Sequence, residues 1–202
     1  MFDIELRRIV DPPLDRVGAA LARRGIAPNA ITLGGFAVGL GCVPAITYEL
    51  WWVALLCLAV NRFSDGLDGA VARHGRTTDF GGYLDILCDF IFYAAFAFGF
   101  ALARPEFAVP AAALMLSFFG TGSSFLAYAI IAEKRGLDID RPAGKSFFYS
   151  RGLAEGGETV AFFVLCLLWP SGFAILAYGF CVLCWATTGM RVAQAYRTFG
   201  RG

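Results

Sequence analysis

A chain of 202 residues with 58% hydrophobic content, 16% charged residues and a mean hydropathy of +0.63 is too apolar for a soluble domain, where about a quarter of residues carry charge. The composition predicts an all-α integral membrane protein, a single membrane domain over residues 1–202, since lipid admits only helices and closed barrels. A net charge of +1 gives no electrostatic reason to bind nucleic acid.

Residues 1–27 read as a basic arm, with Ile9, Leu14, Val17 and Leu21 spaced among Arg7, Arg8, Arg16, Arg23 and Arg24. That pattern predicts an amphipathic helix lying on the inner leaflet, broken or bent at Pro12-Pro13. The arm has neither the apolar core nor the small-residue cleavage site of a signal peptide. Six membrane-spanning helices are expected within residues 28–195, at 30–48, 50–74, 79–103, 107–132, 151–169 and 171–195. Short connections at Tyr48-Glu49, Arg104-Pro105-Glu106 and Trp169-Pro170-Ser171 favour antiparallel neighbours. Of the 17 lysines and arginines, all but Arg62 and Arg104 fall on one side of this arrangement. The positive-inside rule then places both termini in the cytoplasm of an inner membrane.

The six cysteines all lie in apolar spans and read as small packing residues. Cys181-x-x-Cys184 has no second pair to complete a metal site. Gly35-x-x-x-Gly39 and Gly120-Thr121-Gly122-Ser123-Ser124 read as helix-packing surfaces, the phenylalanine-rich third helix as lipid-facing, and His74 as a solvated loop residue.

The second span departs from the others. Its apolar run stops at Val60, and Asp65 and Asp68 follow, with Asp85 and Asp89 early in the next span. One charged side chain at the centre of a membrane helix costs roughly 2.5–3.5 kcal/mol on insertion scales, so such residues mark a cavity, a partner or an ion. Spacings of three and four put each pair on one helix face, and the turn around His74–Thr78 brings the pairs together near the inner leaflet. An all-oxygen set suits Mg²⁺ or Mn²⁺ rather than zinc or iron. Two ions bound there would bridge a diphosphate. Gly66, Gly69, Ala70, Ala72, Gly81 and Gly82 strip side chains from the same region, leaving room for a nucleotide against the backbone or for close helix packing, and Arg73 stands among them as a phosphate partner.

Asp65-x-x-Asp68-Gly69-x-x-Ala72-Arg73 followed by Gly81-x-x-x-Asp85-x-x-x-Asp89 resembles the signature of the CDP-alcohol phosphotransferase family. Pro28-Asn29-x-x-Thr32 resembles the segment that opens that family's first membrane helix. The resemblance implies a transfer of a substituted phosphate from a CDP-linked alcohol to a second alcohol, with release of CMP. It implies that Asp65, Asp68, Asp85 and Asp89 bind one or, more in keeping with the family, two Mg²⁺ or Mn²⁺ ions, with Asp89 also the general base. Asp65, Gly66, Gly69, Arg73, Thr77 and Gly81 would meet the CDP moiety. CDP-diacylglycerol is the expected donor, its tails in the bilayer and its nucleotide on the cytoplasmic side, and a homodimer is the expected assembly.

The resemblance implies a small alcohol as acceptor, with glycerol 3-phosphate the favoured case. Inositol phosphate, a polyol, an amino alcohol or a lipid alcohol would use the same chemistry. Arg141, Lys145 and Arg151 would hold an acceptor phosphate, or serve only as positive-inside anchors. Glu155 and Glu158 would bind acceptor hydroxyls, favour a cationic acceptor, or pair with Arg151 or Arg191. Two other readings stand beside this one: a carboxylate-lined ion or metal transporter, and a prenyltransferase of the UbiA type suggested by Asn61-x-x-x-Asp65-x-x-Asp68.

Overall fold

The computed structural model describes residues 2–75, 77–137, 152–154 and 156–200, the segment 2–11 as backbone only. It contains helices α1 (Phe2–Arg23), α2 (Pro28–Leu40), α3 (Cys42–Thr47), α4 (Trp51–His74), α5 (Asp79–Ala103), α6 (Ala108–Lys134), α7 (Gly156–Leu168) and α8 (Phe173–Phe199). Single 3₁₀ turns at Pro105–Phe107 and Pro170–Gly172 join α5 to α6 and α7 to α8. Residues 1–108 and 109–202 form two compact units.

Each expected span has a helical counterpart, and among the described residues four stretches are long and apolar enough to cross a membrane: Pro28–Thr47, Asp79–Ala103, Pro105–Lys134 and Pro170–Phe199. Helix α4 carries Arg62, Asp65, Asp68 and Arg73, which dilute its apolar character. The 13 residues of α7 reach about 20 Å at 1.5 Å per residue, short of a hydrocarbon core of about 30 Å. Four of the six expected spans thus meet that length and composition among the described residues.

In the first unit, α1 continues through Pro12 and Pro13, so the expected break is absent. Two prolines forfeit two backbone donors, but their fixed φ is itself helical, and the flanking turns carry the helix past them. The arm rests on α4: Leu14 is buried with Leu67 and Ala70, and Leu21 and Ile31 pack beside them. A Cβ on Gly18 would lie 2.8 Å from the Ala70 backbone, so this approach requires glycine. Part of the apolar face assigned to the lipid surface is therefore covered by protein, while Val17 remains exposed.

The expectation that the phenylalanines of α5 face lipid is also corrected. Phe92, Phe96 and Phe100 are fully buried and form a ladder with ring centroids 6.5 and 5.5 Å apart. A spacing of four puts them on one stripe, which faces the core; Phe98, off that stripe, is exposed. At the end of this unit Arg104 donates to both Glu49 oxygens, at 2.7 and 3.0 Å. That hydrogen bonding lowers the Glu49 pKa from its ordinary value.

The second unit is held by aromatic packing among Phe118, Phe162, Phe163 and Phe180, with Phe162 and Phe180 stacked at 4.3 Å. Thr187 of α8 accepts hydrogen bonds from the backbone nitrogens of Leu153 and Ala154 at 2.9 and 3.1 Å. This fixes the chain just ahead of α7. Gly120 packs against Trp185 and Thr188 of α8, the structural role expected of it. All six cysteines are free, and five are buried.

Candidate active site

The site of the first unit is built from α2, α4 and the start of α5. Thr78 caps α5 by accepting from the Gly81 backbone nitrogen at 3.0 Å, so α5 begins where the signature needs its first glycine. Helix α2 lies close against α4 because Gly35 and Gly39 face it. A Cβ on Gly35 would meet Ser64 at 2.2 Å, and one on Gly39 would meet Asn61 at 2.7 Å. The Gly35-x-x-x-Gly39 surface therefore packs within the chain.

Asp65, Asp68, Asp85 and Asp89 line one small cavity of about 10 Å³ together with Thr32, Asn61 and Arg62. Asp68 is 6% exposed and accepts a hydrogen bond from the Thr32 hydroxyl, which gives the last residue of Pro28-Asn29-x-x-Thr32 a concrete task. Asp65 and Asp85 line the same cavity, where their like charges call for positive charge between them. An all-oxygen set with that need fits a hard divalent ion. No three acidic, histidine or cysteine groups among the described residues close into a ligand set. The convergence is looser than the spacing suggested, because Arg62 stands among the carboxylates.

Arg62 is the residue whose part the spacing did not disclose. Its Nη2 donates to Asp89 Oδ1 at 2.7 Å and to Asn61 Oδ1 at 2.6 Å, and its Nε donates to Asn61 Oδ1 at 2.9 Å. Its Nη1 lies 3.8 Å from Asp65, and its guanidinium covers the rings of Phe92 and Tyr93. Asn61 in turn donates to the Gly35 carbonyl at 3.1 Å. The available signal was the position of Arg62, one turn before Asp65 inside an apolar helix, where a lone cation requires a partner.

A larger pocket of about 270 Å³ shares Thr32, Asp68 and Asp85 with the aspartate cavity. Pro28, Asn29, Gly69, Ala72, Thr77, Thr78, Gly81 and Gly82 complete its lining. Of the residues expected to meet a nucleotide, Gly69, Thr77 and Gly81 are here, while Asp65 lines the smaller cavity. Gly66 turns toward the arm, where a Cβ would stand 2.9 Å from Leu14. Arg73 also reaches the arm, its Nη2 2.7 Å from Asp15, with His74 4.0 Å from the same carboxylate.

A divided lining of carboxylates on one side and bare backbone on the other is the arrangement a metal-bound diphosphate nucleotide needs. Residues 25–190 match the model of the CDP-alcohol phosphatidyltransferase family. The chain belongs to that family. This CDP-alcohol phosphatidyltransferase is thus a transferase and a membrane protein. It is 46% identical over 199 residues to the inner membrane protein YnjF of Escherichia coli, covering 98% of this chain and 97% of that one. It is 32% identical to the archaetidylinositol phosphate synthase of Pyrococcus horikoshii, covering 98% of both chains. The fold resembles that of the Mycobacterium tuberculosis phosphatidylinositol phosphate synthase in its apo form, with a TM-score of 0.64 at 19% identity, covering 90% of this chain and 95% of that one. The same synthase with CDP-DAG bound aligns with a TM-score of 0.61 at 20% identity, over 91% and 93% of the two chains. The family is generally dependent on a divalent metal.

In the second unit, Glu158 lies in the first turn of α7, and its Oε2 is buried with no hydrogen-bond partner among the described residues. Arg191, one of the partners considered for it, donates to the Thr121 carbonyl at 2.8 Å and covers the Phe125 ring. Arg141, Lys145, Arg151 and Glu155 lie outside the described residues.

Proposed function

We propose that this enzyme transfers the phosphatidyl group of CDP-diacylglycerol to the hydroxyl of a phosphorylated polyol of the inositol phosphate type, releasing CMP. The observation that carries the donor half is the aspartate cavity of about 10 Å³ sharing Thr32, Asp68 and Asp85 with a glycine-lined pocket of about 270 Å³. Such a volume lies near the small end of ligand sites, the scale of a nucleotide headgroup whose lipid tails stay outside. The acceptor half rests on the full-length relative named for inositol phosphate synthesis. Glycerol 3-phosphate, the favoured acceptor from sequence, has no such support and stands behind it.

Asp65, Asp68, Asp85 and Asp89 would hold the metal, one or two Mg²⁺ or Mn²⁺ ions. When bound, it supplies positive charge that neutralises the diphosphate. Thr32 orients Asp68 through its hydroxyl. Gly69, Ala72, Gly81 and Gly82 leave the backbone bare for the nucleotide, and Thr77 lines the same pocket. Asp89 takes the proton of the acceptor hydroxyl. The acceptor oxygen bonds to the lipid-bearing phosphorus, the bond from that phosphorus to the bridging oxygen breaks, and CMP departs with the electron pair. Arg73, now paired with Asp15, has the charge to meet the donor phosphates on changing partner.

Among the described residues the buried Oε2 of Glu158 meets no donor, which supports a hydroxyl-bearing acceptor, because such an atom is costly until a donor arrives. Arg141, Lys145 and Arg151 complete this proposal as the cationic partners of the acceptor phosphate. Both termini and the nucleotide site face the cytoplasm in this reading, with α1 at the inner leaflet, and the enzyme works as a homodimer.

The test is CMP release by the purified enzyme with Mg²⁺ and CDP-diacylglycerol, across inositol phosphate, glycerol 3-phosphate, free polyols and amino alcohols, with lipid products weighed by mass spectrometry. The reading expects turnover with inositol phosphate above the others. A product formed only from a non-phosphorylated alcohol overturns the acceptor assignment, and absence of CMP throughout overturns the donor assignment.

A further inference from the structure

Among the described residues Arg62 is the one cation lining the aspartate cavity, and its surroundings hold it from three sides. Asn61, tied to the Gly35 carbonyl, takes two of its donors on a single oxygen. Phe92 and Tyr93 present their ring faces 5.1 and 5.7 Å from its guanidinium carbon. The remaining direction points at Asp89 Oδ1, 2.7 Å away, and more distantly at Asp65. The arginine side chain is 15% exposed and that of Asp89 30%, so this pair is sheltered where the aspartate stays open to a ligand. A flexible counter-ion needs none of this scaffolding. An arginine fork locked by an amide and two rings fixes the direction of the carboxylate it holds.

We infer that Arg62 is the positioning residue of this site. It holds Asp89 by Oδ1 so that Oδ2 is presented to the acceptor hydroxyl, and its fixed charge moderates how tightly the aspartates bind divalent metal. The inference rests on the reading of Asp89 as the base. It also accounts for Asn61-x-x-x-Asp65: the asparagine is spaced from the aspartate by the need to steer the arginine beside it, with no prenyl diphosphate involved.

The two parts of the inference have opposite signatures. Removing the arginine charge makes the carboxylate cluster more negative and so improves metal binding. Turnover nevertheless falls, because Asp89 loses its orientation. A residue that merely stabilised the fold would weaken both.

The experiment uses the full chain in nanodiscs, comparing wild type with R62M, R62K and D89N. Free Mn²⁺ is counted by electron paramagnetic resonance without substrate, and CMP release gives kcat and KM for CDP-diacylglycerol. For R62M, Mn²⁺ binding is expected to tighten about fivefold or more, the repulsion of a divalent ion by one unit charge within about 8 Å even under water-like screening. Its kcat is expected to fall about 100-fold, on the scale of general-base catalysis, with KM for CDP-diacylglycerol within about threefold. R62K restores the charge, returning Mn²⁺ affinity toward wild type and recovering part of kcat. If R62M does not fold, R62Q carries the same two readouts. An R62M enzyme with unchanged or weaker Mn²⁺ binding, or with kcat within about threefold of wild type, overturns the inference. D89N separates this from the parent reading. Normal turnover by D89N removes Asp89 as the base, whereas normal turnover by R62M beside an inactive D89N removes the role of Arg62 alone.

Discussion

In residues 1–108 the carboxylates of the cavity have partners: Thr32 on Asp68, and Arg62 on Asp89 and, at 3.8 Å, on Asp65. In residues 109–202 the buried Oε2 of Glu158 has none among the described residues. The first arrangement is preorganised, with orienting hydrogen bonds running from the Gly35 carbonyl through Asn61 and Arg62 to Asp89. The second leaves one acceptor atom to be satisfied by what binds. That contrast matches the division of labour in the proposed reaction. A donor common to a family suits a rigid site, whereas acceptors that differ between members suit one completed by the ligand.

The contrast can be broken most forcefully at Asp89. D89N is expected to lower kcat about 1,000-fold, within the range general-base catalysis supplies, while CDP-diacylglycerol still binds; CMP release and donor binding read the two separately. Next comes the scaffold. In G39V a side chain is forced into the space 2.7 Å from Asn61 Nδ2, an overpacking that costs about 1–3 kcal/mol. The thermal midpoint should drop and turnover with it, since the Asn61–Arg62 relay is displaced; an unchanged midpoint would show that α2 and α4 are not so closely packed.

A smaller and more selective effect is expected in the second unit. E158Q should raise the acceptor KM about tenfold, the worth of one charge-assisted hydrogen bond, and leave the KM for CDP-diacylglycerol alone. Equal shifts in both would erase the distinction between preorganised and ligand-completed ends.

The smallest effect belongs to the exposed Arg104–Glu49 pair. R104A should leave turnover unchanged. Because Arg104 depresses the Glu49 pKa, whatever stability the pair adds is present at neutral pH and is lost as pH falls through the depressed value. The difference in thermal midpoint between wild type and R104A should therefore shrink on acidification, and growth of that difference would reverse the sign of the argument.

Much of this was legible along the chain. The α5 boundaries, Asp79–Ala103, follow from a polar cap, an apolar run and the Arg104-Pro105 stop. The aspartate spacings name two helix faces because helical periodicity is local. Gly69 and Gly81 of the signature foretell part of the pocket lining, whereas Pro28-Asn29-x-x-Thr32 reads along the chain only as the opening of a helix. The four aspartates, their all-oxygen chemistry and the bare backbone beside them needed only residue types and intervals.

What the sequence could not decide is which neighbour each face would meet. Periodicity places Phe92, Phe96 and Phe100 on one stripe, but only packing turned that stripe inward rather than to lipid. Gly66 and Gly69 both lack side chains, yet one admits Leu14 of the arm while the other lines the nucleotide pocket. Arg73 carries the right charge for a phosphate, and the fold gave it Asp15 as a partner. Arg62 and Asp89 are 27 positions apart, and no local rule links them. Helical intervals fix directions around one axis; the distances between axes, on which hydrogen bonds and cavities depend, are set by tertiary packing alone.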